Sequence, residues 1–190
     1  KIKAPIFLAF GAREPFIPGT ALNGVEDLAG NSIAGRVVDG RPMPYSTRAE
    51  IDAGALAGQG LELLWVADPV DAFFLQVQGS GRIQLAEGGT TRVGFAAHNG
   101  HGFVSVGRIL VDEGKLTKDQ ATAQTVAQWL KDHPAEAREI MARNPRFIFF
   151  REIDGDGPVG AQGVVLTPER SMAVDGALLP LGAPVWIDTT

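Results

Sequence analysis

Between Val106 and Asn144 the apolar residues fall at helical spacing, and on either side of that stretch they do not. This contrast constrains the fold more than any other feature of the chain. Val106, Ile109 and Leu110 lie at i, i+3 and i+4, and Gly114 stands where a left-handed stop is expected. Thr117-Lys118-Asp119-Gln120 has the spacing of a capping box, which predicts a helix running to about Asp132. Thr122, Val126, Trp129 and Leu130 form its expected inner face. His133-Pro134 opens a third helix with Ala137, Ile140 and Met141 inward, and Asn144-Pro145 closes it.

The flanks read differently. Residues 1–45 are punctuated by Gly and Pro around short apolar runs, a strand-and-loop pattern. Thr47-Arg48-Ala49-Glu50 gives a second capping box, and Gly54 and Gly58 keep the helix it opens short. Leu61 to Val66 reads as a buried strand. Asp68-Pro69 then supplies an N-cap and a first-turn proline for a helix expected to reach Phe74. Gln78-Gly79-Ser80-Gly81 interrupts the chain before Arg82–Leu85 and Thr91–Phe95, which flank Glu87-Gly88-Gly89 as a β-hairpin. Phe147–Phe150, Ala161–Leu166 and Val185–Ile187 are expected strands. The order β-rich, helical, β-rich predicts a β-rich α+β protein.

Composition narrows the function. Of 190 residues, 45% are hydrophobic and 21% charged, and the net charge is −5. That balance suits an ordinary globular protein and disfavours nucleic-acid or anionic-membrane surfaces, which need clustered Lys and Arg. No apolar run is long enough to span a bilayer. Lys1 to Phe10 is too short for a signal peptide and has no small-residue cleavage site, so the chain reads as a mature or excised piece. Cysteine is absent, which removes disulfides, thiolate catalysis and Cys-based zinc sites.

Several short motifs lack the context their chemistry needs. Gly155-Asp156-Gly157-Pro158-Val159-Gly160 spells G-x-G-x-x-G, but β-like residues follow it rather than a helix, so it reads as a turn. Gly102–Arg108 has P-loop glycine spacing without the Lys and Ser/Thr that reach phosphate and magnesium. His98 and His101 are too few for a zinc site, so no metal and no cofactor are expected; their loop is a polar segment suited to hydrogen bonding. Ser80 has no nucleophile elbow around it. Glu50, Asp52, Asp71 and Asp188 are candidate carboxylates for a hydrolytic glycosidase. For Glu50, Asp68 and Asp71 a helix-start role explains the same residues, and Asp188 ends an expected strand.

Four longer stretches together carry a resemblance. Pro44–Leu56 (PYSTRAEIDAGAL), Asp68–Leu85 (DPVDAFFLQVQGSGRIQL), His98–Gly114 (HNGHGFVSVGRILVDEG) and Asn144–Glu152 (NPRFIFFRE) resemble, in that order, the membrane-bound lytic murein transglycosylase A family. Leu179–Thr190 is similar to the strand leading into that family's C-terminal part. The resemblance implies two barrel-like domains with glycan between them: a six-stranded-type β-barrel insert with inserted helices, and part of a double-psi β-barrel. It implies a division into an N-terminal β/loop region (1–45), an insert domain (46–165) and strands returning to the double-psi barrel (166–190).

It further implies non-hydrolytic cleavage of the β-1,4 bond between N-acetylmuramic acid and N-acetylglucosamine, leaving 1,6-anhydromuramic ends. The implied substrate-binding residues are Arg48, Gln78, Gly79, Ser80, Gly81, Asn99, Gly100 and His101, with the bare glycine backbone admitting a sugar ring. The implied partners are peptidoglycan glycan strands, with other cell-wall enzymes as candidates, in the periplasm at the outer membrane. The family's acid/base aspartate belongs to an Asp-x-Gly-Gly-Ala-Ile-Lys-Gly stretch that would follow Thr190. No catalytic residue is therefore expected among these residues, and the chain alone is expected to be inactive. The alternative reading is a non-catalytic peptidoglycan-binding or structural module.

Overall fold

The computed structural model describes residues 4–7, 21–26, 32–39, 41–155, 157, 160, 164–172, 174 and 176–188. The chain divides into two compact units, 1–153 and 154–190. In the first unit the strands β1 (Ala4–Phe7), β2 (Ala21–Glu26), β3 (Ser32–Val38) and β4 (Arg41–Met43) precede helix α1 (Arg48–Asp52). Strand β5 (Glu62–Val66), helix α2 (Pro69–Gln78) and the hairpin β6 (Ser80–Gln84) and β7 (Thr90–His98) follow. Helices α3 (Val106–Asp112), α4 (Ala123–Asp132) and α5 (Pro134–Ala142) lead into β8 (Ile148–Glu152).

The α+β class and its β-rich, then helical order are observed, but among the described residues β8 is the one strand after the helices, and the strands form open antiparallel sheets. β1 pairs with β5, β2-β3-β4 form a three-stranded sheet, and β6-β7-β8 form another. Among the described residues no closed six-stranded barrel is formed.

Local chemistry explains the boundaries. Thr47 caps α1 reciprocally with Glu50, whose carboxylate accepts from Thr47 N at 2.7 Å. Asp68 Oδ1 accepts from Val70 N at 2.8 Å, and Pro69 occupies the first turn of α2. That helix runs past Phe74 to Gln78, because nothing from Phe73 to Gln78 breaks it. Gly79 then ends it in the left-handed conformation at φ +78°.

The box at Thr117–Gln120 opens a 3₁₀ turn (Lys118–Gln120) rather than a long helix. Thr122 caps α4 instead, accepting from Thr125 N at 3.2 Å, so it is exposed and not part of the inner face.

Three apolar clusters hold the first unit together. Val70 and Phe73 of α2 pack with Val106, Ile109 and Leu110 of α3, Val126 and Leu130 of α4, and Ala137, Ile140 and Met141 of α5. Trp129 is half-buried against this cluster, stacked on His133 at 4.1 Å between ring centroids. The second cluster joins Ile51, Leu56 and Leu61 to Ala97, Phe147 and Phe149. The third joins Val93, Ile148 and Phe150. Successive residues of β8 point to opposite faces, so Phe149 serves one cluster while Ile148 and Phe150 serve the other. A dense apolar run is the pattern such a strand requires.

In the second unit Val185–Ile187 lies outside any strand, with all three side chains exposed. An isolated β-type sequence gains nothing from extension without a ladder partner for its backbone groups. Of the expected strand at Ala161–Leu166, residues 161–163 lie outside the described residues; Val165 forms a single bridge. Residues 156, 158 and 159 of the glycine-rich turn also lie outside them. No helix among the described residues is long and apolar enough to cross a membrane.

Candidate functional site

Four polar or charged side chains are buried among the described residues: Arg48, Gln76, Asn99 and Asn144. All four belong to one region, where the start of α1, the end of α2, the loop after β7 and the approach to β8 converge. Arg48 projects inward because the Thr47 cap fixes the first turn of α1. Its Nε donates to the Asn144 carbonyl at 3.1 Å, and Nη2 donates to Gln76 Oε1 and to the Arg146 carbonyl, each at 2.7 Å. The guanidinium carbon lies 4.7 Å from the Phe73 ring centroid and 5.1 Å from that of Phe147. Burial lowers the Arg48 pKa to about 10, with Asp52 acting in the opposite direction, so the group stays cationic near neutrality.

Asn99 is wholly buried and fully engaged. Its Nδ2 donates to the Ser46 carbonyl at 2.9 Å and the Pro145 carbonyl at 2.7 Å, and its Oδ1 accepts from Phe147 N at 2.8 Å. Asn144 Oδ1 accepts from Val104 N at 3.1 Å and Arg146 N at 3.3 Å. His98 Nδ1 accepts from Gly100 N at 3.0 Å, which places any proton of the neutral ring on Nε2. His101 Nε2 lies 2.8 Å from the Tyr45 carbonyl, an acceptor only, so that nitrogen carries the proton. Burial first, and the Arg146 charge second, lower the His98 pKa.

Beside this network lies a cavity of about 340 Å³. Arg48, Gln76, Asn144 and Arg146 give it polar walls; Val77, Gly79, Phe95, Phe103 and Ile148 complete the lining. Phe95 and Phe103 are about half exposed at its edge. A volume near 340 Å³ is at the small end of ligand sites and suits one sugar-sized group.

The structure brings the expected site residues together only in part. Arg48 and Gly79 line the cavity, whereas Gln78, Ser80, Gly81, Asn99, Gly100 and His101 do not. Gln78 and Ser80 are exposed at the junction of α2 and β6. The glycines have structural causes. Gly79 supplies a positive φ, and a Cβ on Gly81 would stand 2.4 Å from Leu75 Cδ1. The packing of Leu75 thus gives Gly81 a structural reason independent of any ligand. Asn99 has no amide proton left to offer, since both its donors face carbonyls. Sequence reasoning passed over Gln76, Phe95, Phe103, Asn144 and Arg146. The signal for two of them was in Asn144-Pro145-Arg146, which closes the third helix and opens the fourth family-like stretch.

The candidate carboxylates keep their local duties. Glu50 completes the cap of α1, and Asp71 lies 2.5 Å from Lys131 Nζ. Asp188 is exposed in the second unit. Asp52 reaches the surface; desolvation raises its pKa, while Arg48 and Arg138 oppose that rise. Among the described residues no cluster of three or more His, Cys, Asp or Glu could hold a metal ion.

A capped arginine helix, a buried Asn loop and an aromatic-edged, largely apolar cavity meet in one region of an α+β scaffold. The family profile of the MltA specific insert domain matches residues 17–151. The membrane-bound lytic murein transglycosylase A of Vibrio cholerae is 36% identical over 141 residues, covering 73% of this chain and 38% of that protein. A crystal structure of the membrane-bound lytic murein transglycosylase of Agrobacterium tumefaciens matches with a TM-score of 0.71 and 36% identity, covering 90% of this chain and 47% of that one. The structure of Escherichia coli MltA with bound chitohexaose matches with a TM-score of 0.65 and 36% identity, covering 71% of this chain and 41% of that one. The chain belongs to the MltA family of lytic murein transglycosylases, as the resemblance of its four motifs implied. It spans about 38% of the length of the Vibrio cholerae relative.

Proposed function

We propose that this chain supplies part of the glycan-binding groove of a peptidoglycan lytic transglycosylase. The observation that carries the reading is the cavity itself, in which Arg48 and Gly79 of two family-like motifs meet Asn144 and Arg146 of a third. An E. coli relative has been crystallised with chitohexaose, an amino-sugar oligomer. Exposed Gln78 and Ser80 sit next to Gly79 and offer an amide and a hydroxyl suited to sugar hydroxyls. In this reading Gly100 and His101 border the groove through a loop that Asn99 anchors. Residues 46–165 form the insert domain, and the flanking strands belong to the two-barrel arrangement that the resemblance implies.

The reaction needs one carboxyl group. It protonates the leaving glycosidic oxygen as the bond to C1 breaks, then takes the proton of the muramic C6 hydroxyl as that oxygen bonds to C1. No water is consumed, and the product is a 1,6-anhydro end. The acid/base is carried by a segment other than residues 1–190, and the protein acts on glycan strands in the periplasm at the outer membrane.

The test has two parts. Titrating the chain with chitohexaose should show saturable binding, and Gln78→Ala should weaken it by about 1–2 kcal/mol, the range of a lost hydrogen bond. Incubation with murein sacculi should release no anhydro-muropeptides above background. Unchanged binding by the variant would remove Gln78 from the groove. Turnover abolished by Asp188→Asn would make Asp188 the acid/base.

A further inference from the structure

The cavity holds an imbalance of charge that the glycan reading does not use. Two of its nine lining residues are arginines and none is acidic. Partly buried cations are ordinarily paired with an anion. Here no ion pair within 4.0 Å reaches Arg48 or Arg146 among the described residues. Arg48 is held by carbonyl and amide oxygens through Nε and Nη2, and its Nη1 has no bond there. No wholly inaccessible side-chain nitrogen or oxygen lacks a partner among the described residues, so Nη1 keeps solvent access.

The Arg146 guanidinium makes no hydrogen bond or ion pair in the described structure, although its backbone is fixed at both N and O. The titratable group it acts on is His98, whose pKa the Arg146 charge helps to lower. The carboxylate acting on Arg48, that of Asp52, is not among the lining residues.

We propose that this cavity is a carboxylate subsite, taking an acidic group carried on a short aliphatic body. Arginine forks recognise a planar carboxylate through paired N–H donors, and Arg146 is placed to provide one. Val77, Phe95, Phe103 and Ile148 suit the aliphatic part. The inference rests on the glycan-groove reading and deepens it. In a murein strand such a group is either the lactyl carboxylate of a muramic residue that bears no stem, or a carboxylate of the peptide stem joined by an amide to that lactyl carboxyl. A polymer of N-acetylglucosamine alone carries no such group. The subsite would thus distinguish murein from chitin-type glycans, which otherwise share the same linkage and N-acetyl groups.

The test uses the 190-residue chain and four ligands in calorimetric or NMR titrations. These are a murein tetrasaccharide with free lactyl groups, its methyl ester, the same glycan bearing peptide stems, and chitohexaose. We expect the free acid to bind at least about tenfold more tightly than the ester, as a charge-assisted hydrogen bond provides. Arg146→Gln should collapse that difference, and Arg146→Lys should restore only part of it. Circular dichroism of both variants reports whether they fold; among the described residues the Arg146 guanidinium has no hydrogen bond or ion pair to lose.

Tight binding of the stem-bearing glycan, with little difference between acid and ester, would assign the carboxylate to the stem. If acid, ester and stem-bearing glycan bind alike while chitohexaose also binds, the subsite is refuted and the groove stands. If the acid binds better than its ester and chitohexaose does not bind, the subsite stands and the groove it lies in takes murein but not chitin-type glycans. Binding of none refutes both.

Discussion

Replacing Asn99 by alanine separates an architectural role from ligand contact. Its side chain is wholly buried and makes three hydrogen bonds, to the Ser46 and Pro145 carbonyls and from Phe147 N. Each such bond contributes roughly 0.5–1.5 kcal/mol net. The three together give a loss of about 2–4 kcal/mol, softened at Pro145, whose carbonyl still accepts from Arg48 N at 3.0 Å. With an m-value of about 2 kcal/mol/M in urea, the midpoint should fall by about 1–2 M at unchanged slope. Circular dichroism in urea measures this directly. Asn99→Asp should be at least as harmful, since a carboxylate oxygen would replace the donor that faces two carbonyls. If Asn99→Ala kept its midpoint within about 0.25 M of wild type yet lost glycan binding, the residue would be a sugar ligand and not an internal anchor.

Two other perturbations test the packing and the electrostatics of the same region. A Cβ on Gly94 would stand 2.3 Å from Ile153 Cδ1 and 3.0 Å from Cγ1, whereas one on Gly81 meets only the tip of Leu75 closely. Gly94→Ala should therefore cost about 1–3 kcal/mol and Gly81→Ala less, in urea midpoints. Because the folded-state pKa of His98 lies below its ordinary value of 6.5, the unfolded chain binds the extra proton first. Stability should be full above pH 6.5 and fall as the pH drops through the window below it; His98→Gln should flatten that part of a Tm–pH profile.

The sequence was most legible where one local rule decided the outcome. The Thr47–Glu50 box, the Asp68-Pro69 start and the Gly114 stop, with φ +69°, each depend on residues within one turn. The hairpin around Glu87-Gly88-Gly89 was equally local. Where two rules competed, the reading slipped. Thr117 and Thr122 are both good caps, and the spacing alone does not say that the first opens a 3₁₀ turn and the second the helix.

The site was legible only as far as the motifs that bear it. Of the residues expected from the motifs, Arg48 and Gly79 line the cavity, but a polar residue in a loop has no sequence mark that tells an internal anchor from a ligand. Asn99 and Gln76 became intelligible only once Phe147 N, Arg48 and the carbonyls around them had positions. The open cavity wall at Phe95 and Phe103 depends on a β-strand and a loop separated by the turn at Gly100, which no periodicity encodes.

The way Arg48 is compensated links the stability of this region to its binding chemistry. A buried arginine is commonly neutralised by a carboxylate, which satisfies the donors and cancels the charge together. Here Nε and Nη2 donate to two backbone carbonyls and the amide oxygen of Gln76, and the ring faces of Phe73 and Phe147 flank the cation. Dipoles and quadrupoles stabilise the charge without cancelling it. Desolvation still dominates, as the lowered pKa of Arg48 records. The fold thus retains a net positive charge at the wall of the cavity, where Arg146 adds a second. A glutamate at position 76 would make the ion pair that is absent and would remove the field that an acidic ligand needs. Glutamine at that position holds the arginine in place while leaving its charge available to the cavity.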